Sequence, residues 1–173
     1  MRLPTAALVL LSLGLPSALP GQAVGDSMRV PSRIATLTAG LGNAMGWFGL
    51  QGERYFSGER LSAFLGVGYT PSVDPGDPSG VTFAAGFRGF TAGLKHRGFL
   101  EASVCQIMTV TSFVEESYRL YGPCLQAGYQ FASRGGFTAL VSLGLGYAPG
   151  DVPEGASAVE GLIGLGLGYT WRR

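Results

Sequence analysis

The sequence predicts an all-β chain, an eight-stranded antiparallel up-and-down transmembrane β-barrel, and three observations carry that prediction. The first is a recurring pattern. Residues 61–69 (LSAFLGVGY), 137–147 (FTALVSLGLGY) and 162–171 (LIGLGLGYTW) alternate large apolar residues with Gly, Ser or Thr and close on an aromatic. Side chains of a strand point to opposite faces with period 2, so each run has one greasy face and one small or weakly polar face. Each also matches the roughly 9–11 residues that a tilted strand needs to cross a hydrocarbon core. The second observation is composition: charged residues make up only 13% of the chain and glycine reaches 29 residues. A water-facing surface carries far more Lys and Glu than this allows. The third is an alternation of short and long connections.

The N-terminus reads as a removable address. Met1-Arg2 is a short positive start, residues 6–15 are apolar, Pro16 ends the run, and Gly21-Gln22-Ala23 offers small residues at the two positions a signal peptidase reads. Cleavage is expected after Ala23, so that 1–23 is a signal peptide and 24–173 a single barrel domain of 173 − 23 = 150 residues. The apolar run is well short of the roughly 20 residues of a spanning helix.

Alternating runs in the mature part are expected at 33–42, 47–56, 61–69, 81–91, 99–110, 123–132, 137–147 and 162–171. The connections at 57–60, 92–98 and 133–136 are short, whereas those at 71–80, 111–122 and 148–161 are long; the first connection on the long side, 42–46, is the exception. Short turns on one rim and long loops on the other is the asymmetry of outer-membrane barrels, whose short turns are periplasmic. The pleat then assigns faces. Leu37, Leu50, Leu65, Phe83, Phe87, Leu100, Leu125, Leu143, Ile163 and Leu167 point outward with their period-2 neighbours, together with one charge, Arg54 near a strand end. Thr36, Thr38, Gln51, Glu53, Ser62, Thr82, Arg88, Glu101, Ser103, Gln126, Gln130, Thr138 and Ser142 point inward. Tyr69 and Tyr147 at one rim, with Phe131, Phe137, Tyr169 and Trp171 at the other, fit interfacial aromatic girdles.

An eight-stranded lumen is only wide enough for side chains to fill. Glu53, Arg88 and Glu101 are therefore expected to form an ion-pair plug, the planar fork of Arg88 meeting two carboxylates. A pair of carboxylates acting as acid and base would need room for a substrate. Cys105 and Cys124 fall on the inward faces of neighbouring strands, and their positions suit a hairpin with its tip near 113–116. They are read either as a disulfide anchoring the third long loop or as two buried thiols. That loop, with Glu115, Glu116, Tyr118, Arg119 and Tyr121, is the one that mixes charge with aromatics, and it is the candidate contact surface. The lone histidine, His96, is placed in a short periplasmic turn, away from any serine–histidine–acid constellation. No CxxC or Cys/His metal spacing occurs, so no cofactor, metal site or catalytic residue is assigned. A net charge of +1 gives no electrostatic case for nucleic acid.

These residues resemble the small eight-stranded outer-membrane proteins, the group of the OmpA transmembrane domain, OmpX and the opacity proteins. The resemblance covers 24–173 and rests on pattern. Its most specific piece is the last strand, where Gly166, Tyr169 and Trp171 are similar to the C-terminal signal read by the barrel assembly machinery. The chain departs from that signal by adding Arg172-Arg173 after the aromatic and by placing Gly164 where a polar residue is usual. The resemblance implies export to the bacterial outer membrane, insertion by that machinery and contact with outer-membrane lipid. The function expected is non-enzymatic: envelope support, or surface interaction and adhesion through the outer loops, with an extracellular partner the sequence does not identify. The alternatives are a narrow pore or small-solute carrier, and a lipid-modifying enzyme; a soluble periplasmic barrel is the rival at the level of fold.

Overall fold

A computed structural model describes residues 32–42, 45–71, 79–111, 117–149 and 157–173. The expected signal segment 1–23 lies outside the described residues, as do Glu115 and Glu116. Eight strands follow in chain order: β1 (Arg33–Gly42), β2 (Gly46–Phe56), β3 (Leu61–Thr70), β4 (Gly80–Phe90), β5 (His96–Thr111), β6 (Ser117–Ala132), β7 (Phe137–Tyr147) and β8 (Val159–Arg172). Each pairs antiparallel with its sequence neighbour, and β1 pairs with β8, so the sheet closes on itself. Closure leaves no free edge to template aggregation.

The alternation read from the sequence is the alternation of the wall. All thirteen polar residues assigned to the inward face are buried, from Ser62 and Thr138 at 0% exposure to Ser103 at 9%. The outward series is open: Leu65 is 72% exposed, Leu125 64% and Phe87 61%. Such an exterior is the inverse of a water-soluble barrel, which packs its apolar face within.

Two features depart from the sequence reading. The loop expected at 111–122 is largely strand. β5 and β6 are each 16 residues long, and Thr109, Val110 and Thr111 pair with Arg119, Tyr118 and Ser117. The sixth run is expected to begin only at Pro123. The β6–β7 ladder begins only at Cys124, so Pro123 sits where the absent N–H breaks no bond on that side. The connection between β5 and β6 shrinks to 112–116, and loop length separates the rims mainly through 71–79 and 148–158. The second departure is Arg33. Parity from Ala35 and Leu37 would turn it outward, but a register shift between Arg33 and Ala35 points it into the lumen, where it is 4% exposed.

The short-turn rim is built from tight chemistry. Gly58 (φ 65°) and Glu59 (φ 70°) occupy the left-handed region in the 3-10 turn Ser57–Glu59. Inside the wall, Gly128 lies opposite Phe99, and the ring fills the space that a side chain would need. A Cβ at Gly128 would stand 2.2 Å from the Phe99 ring and 2.5 Å from the Val141 carbonyl oxygen.

Gly128→Leu is therefore expected to lower unfolding stability by about 1–3 kcal/mol through overpacking. At Gly52 an added Cβ meets nothing within 4 Å, so Gly52→Ala should stay within about 0.5 kcal/mol. Guanidinium unfolding of the two variants reads the contrast directly.

Candidate functional site: a charged plug across the lumen

Arg88 is the centre of the interior. β4 brings it opposite Glu101 of β5 on one side and Ser62 of β3 on the other. Its Nε donates to Glu101 Oε2 at 2.8 Å, and its Nη2 meets the same oxygen at 2.7 Å. Nη2 also donates to Gln51 Oε1 at 3.2 Å, and Nη1 lies 3.6 Å from Glu53 Oε2. The two carboxylates are thus held unequally, Glu101 by direct hydrogen bonds and Glu53 by a longer ion pair. Phe64 and Phe99 put their rings 4.6 and 4.8 Å from the guanidinium carbon, so the flat cation is stacked as well as paired.

Neighbouring strands supply the remaining partners of the carboxylates. Ser62 Oγ donates to Glu53 Oε1 at 2.5 Å and Tyr55 Oη to Oε2 at 2.9 Å. Ser103 Oγ and Gln126 Nε2 each donate to Glu101 Oε1 at 3.1 Å. Ser142 Oγ donates to Gln126 Oε1 at 3.0 Å, which carries the network to β7. Thr36, Thr138 and Thr170 join hydroxyls across the β1–β8–β7 seam. A buried charge is tolerable only when its partners and remaining hydrogen bonds are present, and here both carboxylates have donors from two sides.

A second charged layer, which the sequence reading did not include, closes the short-turn end. Arg97, 3% exposed, donates to Gln130 Oε1 at 2.8 and 2.6 Å and to the Glu59 carbonyl at 3.0 Å, with the Phe90 ring 3.7 Å away. Arg33 pairs with Glu59 Oε2 at 3.5 Å and donates to the Leu94 carbonyl. Tyr55 Oη ties the layers together, meeting Thr36 at 3.0 Å and Gln130 Nε2 at 3.2 Å. Arg97 shares the parity of Glu101, and extending the fifth run by a few residues would have found it. Arg33 had no such signal, because a bulge turned it inward. Together Arg33, Arg88 and Arg97 face Glu53, Glu59 and Glu101, three positive against three negative charges.

Towards the long-loop end the lumen becomes apolar, with Met45, Phe64, Ile107 and Leu162 buried around a disulfide between Cys105 and Cys124. The cysteines are not directly opposite. Cys105 pairs with Gly122 and Cys124 with Ser103, so the bond crosses the ladder diagonally, with Cα atoms 6.4 Å apart. The bulge between Gln106 and Met108 moves the register from the one a simple hairpin count suggests. The disulfide therefore staples the wall within the ladder and does not anchor the loop tip.

Tyr118, Arg119 and Tyr121 belong to β6, paired with Val110, Thr109 and Gln106, and are not loop residues; Tyr121 is 37% exposed. His96 opens β5 instead of lying in a turn. It faces outward, with Nδ1 hydrogen-bonded to Tyr129 Oη and its ring 5.2 Å from Phe131. Tyr169 and Trp171 stand on the outer face with ring centroids 5.3 Å apart, while Gly166 faces inward under Leu140. A cavity of about 570 Å³ opens at the long-loop mouth, lined by Trp47, Phe48, Thr82, Ile107 and Ile163 among others.

Arg88→Met should cost about 3–5 kcal/mol, because it strands two buried carboxylates. Combining it with Glu53→Gln and Glu101→Gln should return most of that loss, measured by guanidinium unfolding. Reduction of the disulfide, which closes a 19-residue separation, should lower stability by about 3 kcal/mol. A Cys105→Ser/Cys124→Ser variant should not respond to reductant.

Comparison with known proteins leaves the chain to its own geometry: no family model, no curated protein and no solved structure matches it.

Proposed function

We propose that the chain is a bacterial outer-membrane β-barrel, exported by its N-terminal segment and inserted by the barrel assembly machinery. In this reading it performs no enzymatic step and serves the envelope as a plugged scaffold whose long-loop rim meets the outside. The observation that carries the reading is the inverted polarity of the wall. Leu37, Leu65, Phe83, Leu100, Leu125 and Leu143 are each at least 45% exposed, while Thr36, Gln51, Arg88, Glu101 and Gln130 are at most 2% exposed. A soluble monomer rarely presents a continuous apolar patch beyond about 300–600 Å², whereas a hydrocarbon environment favours such a surface on every strand.

The aromatic belts support the same placement. Trp47, Tyr69 and Tyr147 are exposed at one rim, and Tyr129, Phe137, Tyr169 and Trp171 at the other. Such amphipathic rings sit where hydrocarbon gives way to headgroups. The interior argues for a plug: Arg88 donates hydrogen bonds to Gln51 and Glu101 and forms a longer ion pair with Glu53. Those carboxylates are in turn occupied by Tyr55, Ser62, Ser103 and Gln126. The groups that a hydrolytic or proton-transfer role would need are committed to one another.

Expression in a bacterium with an outer membrane should place the protein in the outer-membrane fraction, extracted only by detergent. The unheated sample should migrate differently from the heated one on denaturing gels. Recovery as a folded monomer in detergent-free buffer would overturn the reading.

A further inference from the structure

Among the described residues, the apolar exterior has a charged interruption at Arg54 that no protein group answers. Arg54 stands on the outward face of β2, exposed, and among the described residues no hydrogen bond or ion pair holds its guanidinium. The ladder places it in a single cross-strand row: Trp171 pairs with Ala35, Ala35 with Arg54, Arg54 with Ala63, and Ala63 with Phe87. The next row towards the long loops runs Leu37, Gly52, Leu65, Ala85 and Val104. Small residues at Ala35, Gly52, Ala63, Ala85 and Ala102 therefore lie between tall ones, and the wall is hollowed there. The result is a groove of about 910 Å³ with Arg54 and Trp171 in its lining and Leu65, Phe87 and Val104 as its sides.

We propose that this groove is a binding site for an anionic phospholipid, an acyl chain lying over the alanine floor and the headgroup phosphate meeting Arg54. The proposal rests on the membrane reading above. Three observations select this occupant. The floor and sides are hydrocarbon, which suits an acyl chain and offers nothing to a polar ligand. The cation is unpaired and lies near the short-turn end of its strand, where a long side chain reaches the headgroup level. The surrounding rim is also positive. Arg60, Lys95, Arg134 and Arg173 are exposed there, while the nearby acid, Glu59, is taken by Arg33. The connecting sequences after β3 and β7 contain Asp74, Asp77, Asp151 and Glu154 instead. A guanidinium also suits a phosphate better than an ammonium does, because its fork meets two oxygens at once.

The chain supplies its own reporter. It has two tryptophans, Trp47 and Trp171, at opposite rims, so Trp47→Phe leaves the groove indole alone. That variant is folded into phosphatidylcholine vesicles containing a minor fraction of brominated phosphatidylglycerol or, separately, brominated phosphatidylcholine. Brominated phosphatidylglycerol should quench Trp171 more effectively, with a preference of roughly fivefold for one phosphate–arginine contact. High salt should weaken the preference. Arg54→Gln in the same background should bring the two lipids to equal quenching. Ala85→Phe, which fills the groove and leaves the cation, should do likewise. Equal quenching before any change at Arg54, or a preference that survives Arg54→Gln, overturns the site while leaving the barrel in the membrane. Absence of quenching in vesicles made wholly of brominated phosphatidylcholine would overturn the membrane reading itself.

Discussion

Closure of β1 onto β8 is the constraint to which the rest of the molecule answers. An open eight-stranded sheet would leave two rows of unpaired N–H and C=O groups; a closed one pairs them all but fixes the width of the interior. The seam is correspondingly thin on its inner side, with Thr38 opposite Gly168, Gly40 opposite Gly166 and Gly42 opposite Gly164. A Cβ at Gly40 would stand 2.0 Å from the Leu165 carbonyl, and one at Gly168 2.0 Å from that of Leu37. The far wall, β3 to β5, then has room for Phe64, Arg88, Phe99 and Glu101. A lumen of set diameter is filled from one side because the other side is nearly bare.

Filling that space with charge follows from the inverted exterior. Outward positions are given to hydrocarbon, so polar side chains are directed inward by the period of the strand. They are then buried as firmly as any core residue. Desolvation of Arg88 is offset by two carboxylates and two aromatic faces; that of Glu53 and Glu101 by donors from four strands. The lumen is layered as a result. An apolar, disulfide-stapled segment lies beneath the long loops, the Arg88 cluster sits across the middle, and Arg33 with Arg97 closes the short-turn end. Tyr55 joins the two charged layers through Thr36 and Gln130, so the polar interior is one connected network from the middle to the short-turn end.

The outer wall combines two roles that are often separate. Most of it is an apolar surface with shallow recesses, but the recess beside Arg54 combines a shape and a charge in one cross-strand row. Small outward residues on adjacent strands make the hollow, and the cation and indole stand at its end.

Strand number, strand faces and the inward fate of Glu53, Arg88 and Glu101 were legible from residue order alone, because side-chain alternation is a local property of the backbone with period 2. All eight strand ends, and the starts of β1, β2, β3, β4 and β7, could be placed within one residue for the same reason: Gly, Ser and Pro punctuation is also local. What residue order left open were the features made by register. A bulge turned Arg33 into the lumen, a second bulge shifted Cys105 to a diagonal with Cys124, and pairing across the top of β5 and β6 turned Tyr118, Arg119 and Tyr121 from loop into strand. Which side chains touch across the barrel, and that Ala35, Arg54, Ala63 and Trp171 share one row, depend on how strands slide against each other before closing. That offset is decided by the packing of the whole closed sheet and is written in no single segment.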